Sequence, residues 1–332
     1  MGLIHKVLGF ILVCASCAAA YGQSYVVTDN GALAVKGTQI VNSKGKPIAL
    51  AGPRFFWSNS GWGAEGFFNA QTVAWAKNNW QATVIRAVMG IEGPGGYLAS
   101  PDANKQRVFA VIDAAIAEDM YVLVDWHDHH AERHTAEAVQ FFTEVAKKYG
   151  AFPNVIYEIY NEPKEVSWVK DIKPYAQTLV NAIRAQDSDN LIAVGTPRWS
   201  QDVDEVAKAP LSGQSNIVYS LHFYAGTHHQ GLRDKAAKAL DKGLPLMVTE
   251  WGTVNADGNG GANTEETRRW MEFLRKHTLS HCNWAISIKN EGASIFKTDV
   301  KPADQYTDAQ LTPSGLLARD WVRSWRPLSQ PQ

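Results

Sequence analysis

Two glutamates stand at the ends of apolar runs, Glu162 in "NVIYEIYNEP" (154–163) and Glu250 in "PLMVTEWG" (245–252). A buried carboxylate is costly without partners, so each position needs a reason. Two carboxyl groups facing one another suit glycoside hydrolysis with retention, in which one protonates the leaving oxygen while the other attacks the anomeric carbon. Further apolar runs end in Arg86, in His127 with Asp125, in Asn161 beside Glu162, in His222 with Tyr224, and in Lys289 with Glu291. Trp57, Trp199, Trp251 and Trp284 lie in or beside the same turns. A flat indole packs on the C–H face of a sugar ring while polar neighbours bond its hydroxyls, so the set has the chemistry of a sugar cleft.

A third glutamate, Glu158, precedes Glu162 by four residues. Strict alternation places Glu158, Tyr160 and Glu162 on one face, with ~13 Å of strand between the glutamates, too far to share a site. Glu158 is therefore expected to be structural, paired with Arg86 or with a neighbouring strand's polar groups. Pro163 ends the run by removing a backbone donor. The cluster "DWHDHH" (125–130), with His134 nearby, has metal-ligand residue types. Alternation along a strand points adjacent histidines apart, so no metal or cofactor is expected.

The elements that must carry these residues alternate. Strand candidates are Ile48–Gly52, Ala82–Met89, Tyr121–His127, Asn154–Glu162, Leu191–Thr196, Ile217–Tyr224, Pro245–Gly252 and Asn283–Lys289. Amphipathic helical spacing covers Ala103–Asp119, Thr135–Tyr149, Val169–Ala185, Leu232–Leu240, Thr264–Lys276 and Pro313–Trp325. Eight strands separated by helices predict an α/β chain folded as a (β/α)8 TIM barrel, whose chemistry sits at the C-terminal ends of its strands. A doubly wound sheet would need a glycine-rich turn after the first strand, and none is present. Turn signals at Asn30-Gly31 and Lys44-Gly45 predict a short N-terminal β-hairpin closing the lower end.

Hydrophobic residues are 45% of the chain and charged residues 20%, enough to bury a large core. A formal net charge of −1 without a basic run argues against nucleic acid or an anionic membrane as partner. Residues 1–23 read as a signal peptide, with basic Lys6, an apolar stretch Val7–Val13 and small residues Ala18–Ala20, so a secreted, extracellular chain is expected. Residues 24–332 then form one catalytic domain, without a linker or carbohydrate-binding module, and a monomer is expected. Cys14 and Cys17 fall in the leader, which leaves Cys282 with no disulfide partner and the character of a small core residue.

Over almost its whole length beyond Val26 the sequence resembles a cellulase of glycoside hydrolase family 5. The resemblance is carried, in order, by "VIRAVMG", "VDWHDHH", "NVIYEIYNEP", "GTPRWSQDV", "SLHFYAGTHHQGLRDKAAKAL", "VTEWGT" and "NWAISIKNEGAS". It implies Glu162 as acid/base and Glu250 as nucleophile of an endo-β-1,4-glucanase, with Asn161 on the sugar 2-hydroxyl. It further implies Arg86 and Tyr224 against the nucleophile, and His127 and His222 as orienting groups. Trp284 would floor the site, Trp57 and Trp199 would stack sugars on either side, and Lys289 and Glu291 would bond hydroxyls. An acid that later serves as base is expected to have a raised pKa, from partial burial and the charge of Glu250. The carboxyl groups are expected ~5 Å apart. "GPRFFWSNSGWG" departs from the family by carrying Arg54, Phe55 and Phe56 where many relatives have a histidine, and Trp62 is a candidate for the missing contact. A xylanase, mannanase or xyloglucanase on the same barrel, or a barrel that only binds carbohydrate, are the alternatives.

Overall fold

The computed structural model describes residues 26–303 and 305–325; the leader assignment for residues 1–23 lies outside them. Eight parallel strands close into a barrel: β3 (Ala51–Phe55), β4 (Val84–Gly90), β5 (Tyr121–His127), β6 (Val155–Glu158), β7 (Ile192–Val194), β8 (Ile217–Tyr224), β9 (Leu246–Gly252) and β10 (His281–Ile286). β10 pairs with β3 to complete the ring. Helices α3 (Pro101–Ala117), α4 (Thr135–Tyr149), α5 (Lys173–Arg184), α8 (Gln230–Asp241), α9 (Thr264–His277) and α10 (Pro313–Arg323) follow the predicted periodic stretches closely. Short α6 (Pro197–Ser200) and α7 (Val203–Val206) follow β7.

Differences from the expected elements have local causes. β3 starts three residues later than expected and runs through Pro53 and Arg54, types that argue against a central strand. Its apolar lead-in, Ile48 and Leu50, fills the barrel floor instead. Helix α2 (Ala70–Trp80) was not singled out by periodicity; it is fixed by Asn69, whose side chain accepts from Thr72 N, and by buried Trp75 and Trp80. An antiparallel hairpin does precede the barrel, as β1 (Ala34–Lys36) and β2 (Gln39–Val41), but it turns at Gly37 and Thr38. Asn30-Gly31 instead ends the short helix α1 (Val26–Asn30), and Lys44-Gly45 turns the chain from β2 toward Pro47.

Inside the barrel the residues are layered. Val84, Tyr121, Leu123, Ile156, Leu191, Ala193, Val218, Met247 and Cys282 form an apolar lower layer, closed from below by Val26, Val27, Leu33 and Ile40. Above it the inward residues turn ionic. Among the described residues no helix is long and apolar enough to cross a membrane.

Cys282 lies in the lower layer, fully buried, and burial pushes its thiol up to about 12. Iodoacetamide is expected to leave Cys282 unmodified in the folded protein at neutral pH and to alkylate it fully in guanidinium chloride, read by peptide mass mapping. Rapid alkylation of the native protein would contradict this packing.

Candidate active site

The ionic layer is set by strand register. Arg54 on β3 and Arg86 on β4 are register partners, as are Asp125 on β5 and Glu158 on β6. All four are fully buried. Arg86 Nε donates to Glu158 Oε2 at 2.5 Å, and Nη2 donates to Asn161 Oδ1 at 2.7 Å and lies 3.1 Å from Asp125 Oδ2. Ser220 Oγ donates to the other Glu158 oxygen at 3.0 Å. Glu158 thus has the structural role and the Arg86 partner expected of it. Burial alone would raise its pKa, but Arg86, followed by His222, brings it to about 2. Burial pushes Asp125 well above the usual carboxylate range, with Arg86 opposing and Glu158 adding to the rise.

Glu250 reaches this layer through a bulge. Ser220 on β8 pairs with Met247 on β9, and His222 pairs with Glu250, so β9 carries one extra residue between the two pairs. Such an insertion re-aims the side chains beyond it: Trp251 faces outward against Phe223, and Glu250 faces inward. One Glu250 oxygen accepts from Arg54 Nη1 and from Arg86 Nη1, the latter at 3.3 Å. The other accepts from the Tyr224 hydroxyl at 2.6 Å. Two cations on one carboxylate favour its charged form. Gly252 makes room for the phenol, because a Cβ there would lie 2.4 Å from Tyr224 Cδ1.

Glu162 lies beyond the end of β6, where alternation fails. Tyr160 does not share a face with Glu158: it points outward, donates to Glu132 at 2.5 Å and packs on Tyr175. Asn161 turns inward instead, and Glu162 follows into the cleft. Glu158 and Glu162 are nonetheless linked, because His222 Nδ1 lies 2.9 Å from Glu162 Oε1 while its Nε2 lies 3.9 Å from Glu158 Oε1. The second Glu162 oxygen lies 3.4 Å from His129 Nε2. Atoms of Glu162, His222 and Glu250 lie within 4.8 Å of one another. The expected rise in the Glu162 pKa is not found. Burial does push it up, but the hydrogen bonds from His129 and His222 outweigh that and hold it well below the usual carboxylate range.

Around the pair, His127 Nδ1 lies 2.8 Å from Asp125 Oδ2 and its ring stacks on Trp284 at 5.7 Å between centroids. Burial, then Arg54 and Arg86, pushes His127 well below its usual value, so it is neutral. The Arg54 guanidinium covers the Trp284 ring at 4.0 Å. Trp57 meets His127 edge-on at 4.4 Å and Trp62 at 5.3 Å, extending an aromatic wall along one side. Trp62 is 37% exposed and Trp199, after β7, is 41% exposed. Lys289 Nζ is 2.6 Å from Glu291 Oε2 at the rim after β10. Arg54 and His129 are the site residues that sequence reasoning left without a role.

The histidines of "DWHDHH" do diverge: His127 toward Asp125, His129 toward Glu162, and His130 toward Glu92, at 2.9 Å. Among the described residues, Glu92, Asp128 and His134 form a further cluster with donor atoms within 4.8 Å. Those groups are already engaged: His134 Nδ1 lies 2.7 Å from Asp128 Oδ2, and Asp128 Oδ1 accepts from His130 N at 2.8 Å.

A (β/α)8 barrel with facing carboxylates, backing arginines and indole walls at its rim defines a glycoside hydrolase as a class. The cellulase family (glycosyl hydrolase family 5) matches residues 41–290. Endoglucanase Z of Dickeya dadantii is 52% identical over 293 residues, covering 88% of this chain and 66% of that protein. An endoglucanase of Clostridium saccharobutylicum is 42% identical, covering 90% of this chain and 67% of that one. The chain thus spans about two thirds of the length of these relatives. A solved structure from Cytophaga hutchinsonii superposes with TM-score 0.88 at 47% identity, covering 91% of this chain and 97% of that one. The catalytic domain of Thermobifida fusca endoglucanase Cel5A, in complex with cellotetraose, superposes with TM-score 0.84 at 28% identity, covering 90% and 100%. The chain belongs to glycosyl hydrolase family 5.

Arg86→Met strands Glu158 as a buried anion, so a loss of about 3–5 kcal/mol is expected in urea unfolding. Lys289→Met, which removes an exposed rim cation, is expected to change stability by no more than about 1 kcal/mol. The low Glu158 pKa contributes stability that is fully present above its ordinary 4.5 and is lost as pH falls toward about 2. Glu158→Gln is therefore expected to flatten the acid side of the urea-midpoint profile in that window.

Proposed function

We propose that this chain is a secreted endo-β-1,4-glucanase that cuts internal bonds of cellulose and related β-glucans with retention of configuration. The observation that carries this reading is the pairing of Glu162 and Glu250 within 4.8 Å, since retaining enzymes hold their carboxyl groups ~5 Å apart and inverting ones leave room for a water. Glu250 is the nucleophile. Arg54, Arg86 and Tyr224 hold its charge and aim it, and their donors face it before substrate arrives, so no reorganisation is needed at the moment of attack. Glu162 is the acid in the first step and the base in the second: it gives its proton to the leaving oxygen as Glu250 bonds the anomeric carbon, then takes one from the water that releases the sugar. Asn161, fixed by Arg86, serves the 2-hydroxyl, and His127 and His222 keep the surrounding groups oriented.

Trp57, Trp199 and Trp284 supply stacking faces for successive sugars, and the rim pair Lys289–Glu291 supplies hydroxyl contacts. The names of the relatives favour β-1,4-glucan as the chain cut. Export is supported by the apolar stretch Val7–Val13 and the small residues that follow it. Every group named comes from one chain, so a monomer suffices.

Proton NMR of a cello-oligosaccharide digest is expected to show the β-anomer first, with the α-anomer appearing only by mutarotation. Early α-anomer would overturn retention. Glu162→Gln is expected to lower kcat on unactivated glucan by about 10²–10⁴-fold, and Glu250→Gln by at least as much. Carboxymethylcellulose should be cut faster than xylan, mannan or xyloglucan, and the reverse order would move the substrate assignment to one of those polymers.

A further inference from the structure

Both oxygens of Glu162 lie beside an imidazole before any sugar is bound. His222 holds Oε1, and it is itself fixed, fully buried with Nε2 2.8 Å from Thr249 Oγ1. His129 holds Oε2 at 3.4 Å from the loop after β5. Its side chain is 20% exposed, and its Nδ1 has a loose neighbour in Glu92 Oε2 at 3.9 Å. Its ring lies 5.5 Å from Trp57 and 6.1 Å from His127, on the wall where sugars stack. A scissile oxygen must reach one of the two carboxyl oxygens, and Oε2 is the one whose neighbour is part-exposed and more distant, at 3.4 Å against 2.9 Å for His222 at Oε1.

We propose that His129 is a displaceable donor occupying the leaving-group position of Glu162, and that glucan seated across the cleavage point pushes it aside and thereby loads Glu162 with its proton. This rests on the reading of Glu162 as the acid/base. An imidazole N–H at Oε2 bonds the carboxylate more strongly than the neutral acid and so favours the charged form, whereas a glycosidic oxygen carries no hydrogen and is bonded only by the protonated form. Exchanging one for the other reverses which form is favoured at the same atom. The exchange also reconciles the low pKa of Glu162 in the free protein with its need to donate a proton.

The proton balance closes over one turnover. Glu162 Oε2 takes a proton from solvent as His129 leaves and gives it to the leaving oxygen as the glycosidic bond breaks. It accepts a proton from the attacking water in the second step and returns it to solvent when His129 swings back. The other groups acting on Glu162 are His222 from β8, Glu250 from β9, and at longer range Asp125, Tyr224 and His228. None of these lies on the loop after β5, so the change at Oε2 is assigned to His129. In this account His129 is a positioning residue.

The test is calorimetric titration of the full chain with a non-hydrolysable, sulfur-linked cello-oligosaccharide spanning the cleavage point, in buffers of differing ionisation enthalpy and across acid to neutral pH. The wild type is expected to take up about one proton per complex, with uptake persisting to low pH because free Glu162 stays ionised there. His129→Phe keeps a ring but lacks the donor, and should move the lower edge of the uptake window up by about one pH unit or more. His129→Gln, whose amide can donate, should restore the wild-type window. Coincident windows for wild type and His129→Phe, with Glu162→Gln inactive and showing no uptake, would overturn the displacement and leave the acid/base reading standing. An active Glu162→Gln would instead overturn the acid/base reading itself.

Discussion

Arg86 lies fully buried and bonds Glu158, Asp125, Asn161 and Glu250 at once, and an ion so placed tolerates no missing partner. Taking a guanidinium out of water is compensated only when its donors are matched by acceptors in good geometry. Those acceptors come from β5, from β6 and the turn after it, and from β9, so one side chain on β4 ties together the strands that carry both catalytic candidates. The pair can be aimed because the layer beneath it cannot relax. With Arg54 beside it, two buried arginines face the carboxyl groups of Asp125, Glu158 and Glu250.

The two glutamates are held by different kinds of partner, and this separates their chemistry. Glu250 sits on two guanidinium ions and a phenol, none of which changes protonation near neutral pH: even with burial and Arg86 drawing Arg54 down to about 9, it keeps its charge. Its carboxylate is therefore fixed in charge and in direction, as suits a nucleophile. Glu162 sits between two imidazoles, His222 buried on β8 and His129 part-exposed on the loop after β5. A group that must hold, give and regain a proton thus has one fixed partner and one that can yield its place. An arginine at either imidazole's position would hold Glu162 as a carboxylate throughout.

Much of this was legible in the sequence because alternation and strand ends are written in residue types. β5 and β8 fall where the apolar runs place them, and the residues closing them, His127 and Tyr224, meet Trp284 and Glu250. What was not legible lies where the period of two breaks. By parity from Met247, Trp251 would face inward and Glu250 outward; only the pairing with β8 reveals the extra residue in β9. By parity from Glu158, Tyr160 would face inward, yet it lies outside against Tyr175. The apolar run predicted as the first strand ends at Gly52, and proline and arginine speak against a central strand, whereas barrel closure requires β3 to continue through both Pro53 and Arg54. His129 stood in plain view within "DWHDHH", but its partner Glu162 is 33 residues away on another strand's end, and only the fold joins them.

The lower half of the barrel belongs to this chemistry although it carries none of it. Val26, Val27, Leu33 and Ile40 close the floor beneath Val84, Leu123, Ile156 and Met247, and the ionic layer begins directly above on the same strands, at Arg86, Asp125 and Glu158. Charge interactions strengthen as the local dielectric falls. Water entering from below would weaken the contacts that orient Asn161 and Glu250 and would solvate Glu158, which now depends on Arg86 and Ser220. The N-terminal helix and hairpin thus act on the cleft without touching it, by keeping the ions beneath it dry. A hydrophobic plug at one end of the barrel and a polar cleft at the other are two consequences of one arrangement, in which the strength of the upper layer is set by the dryness of the lower.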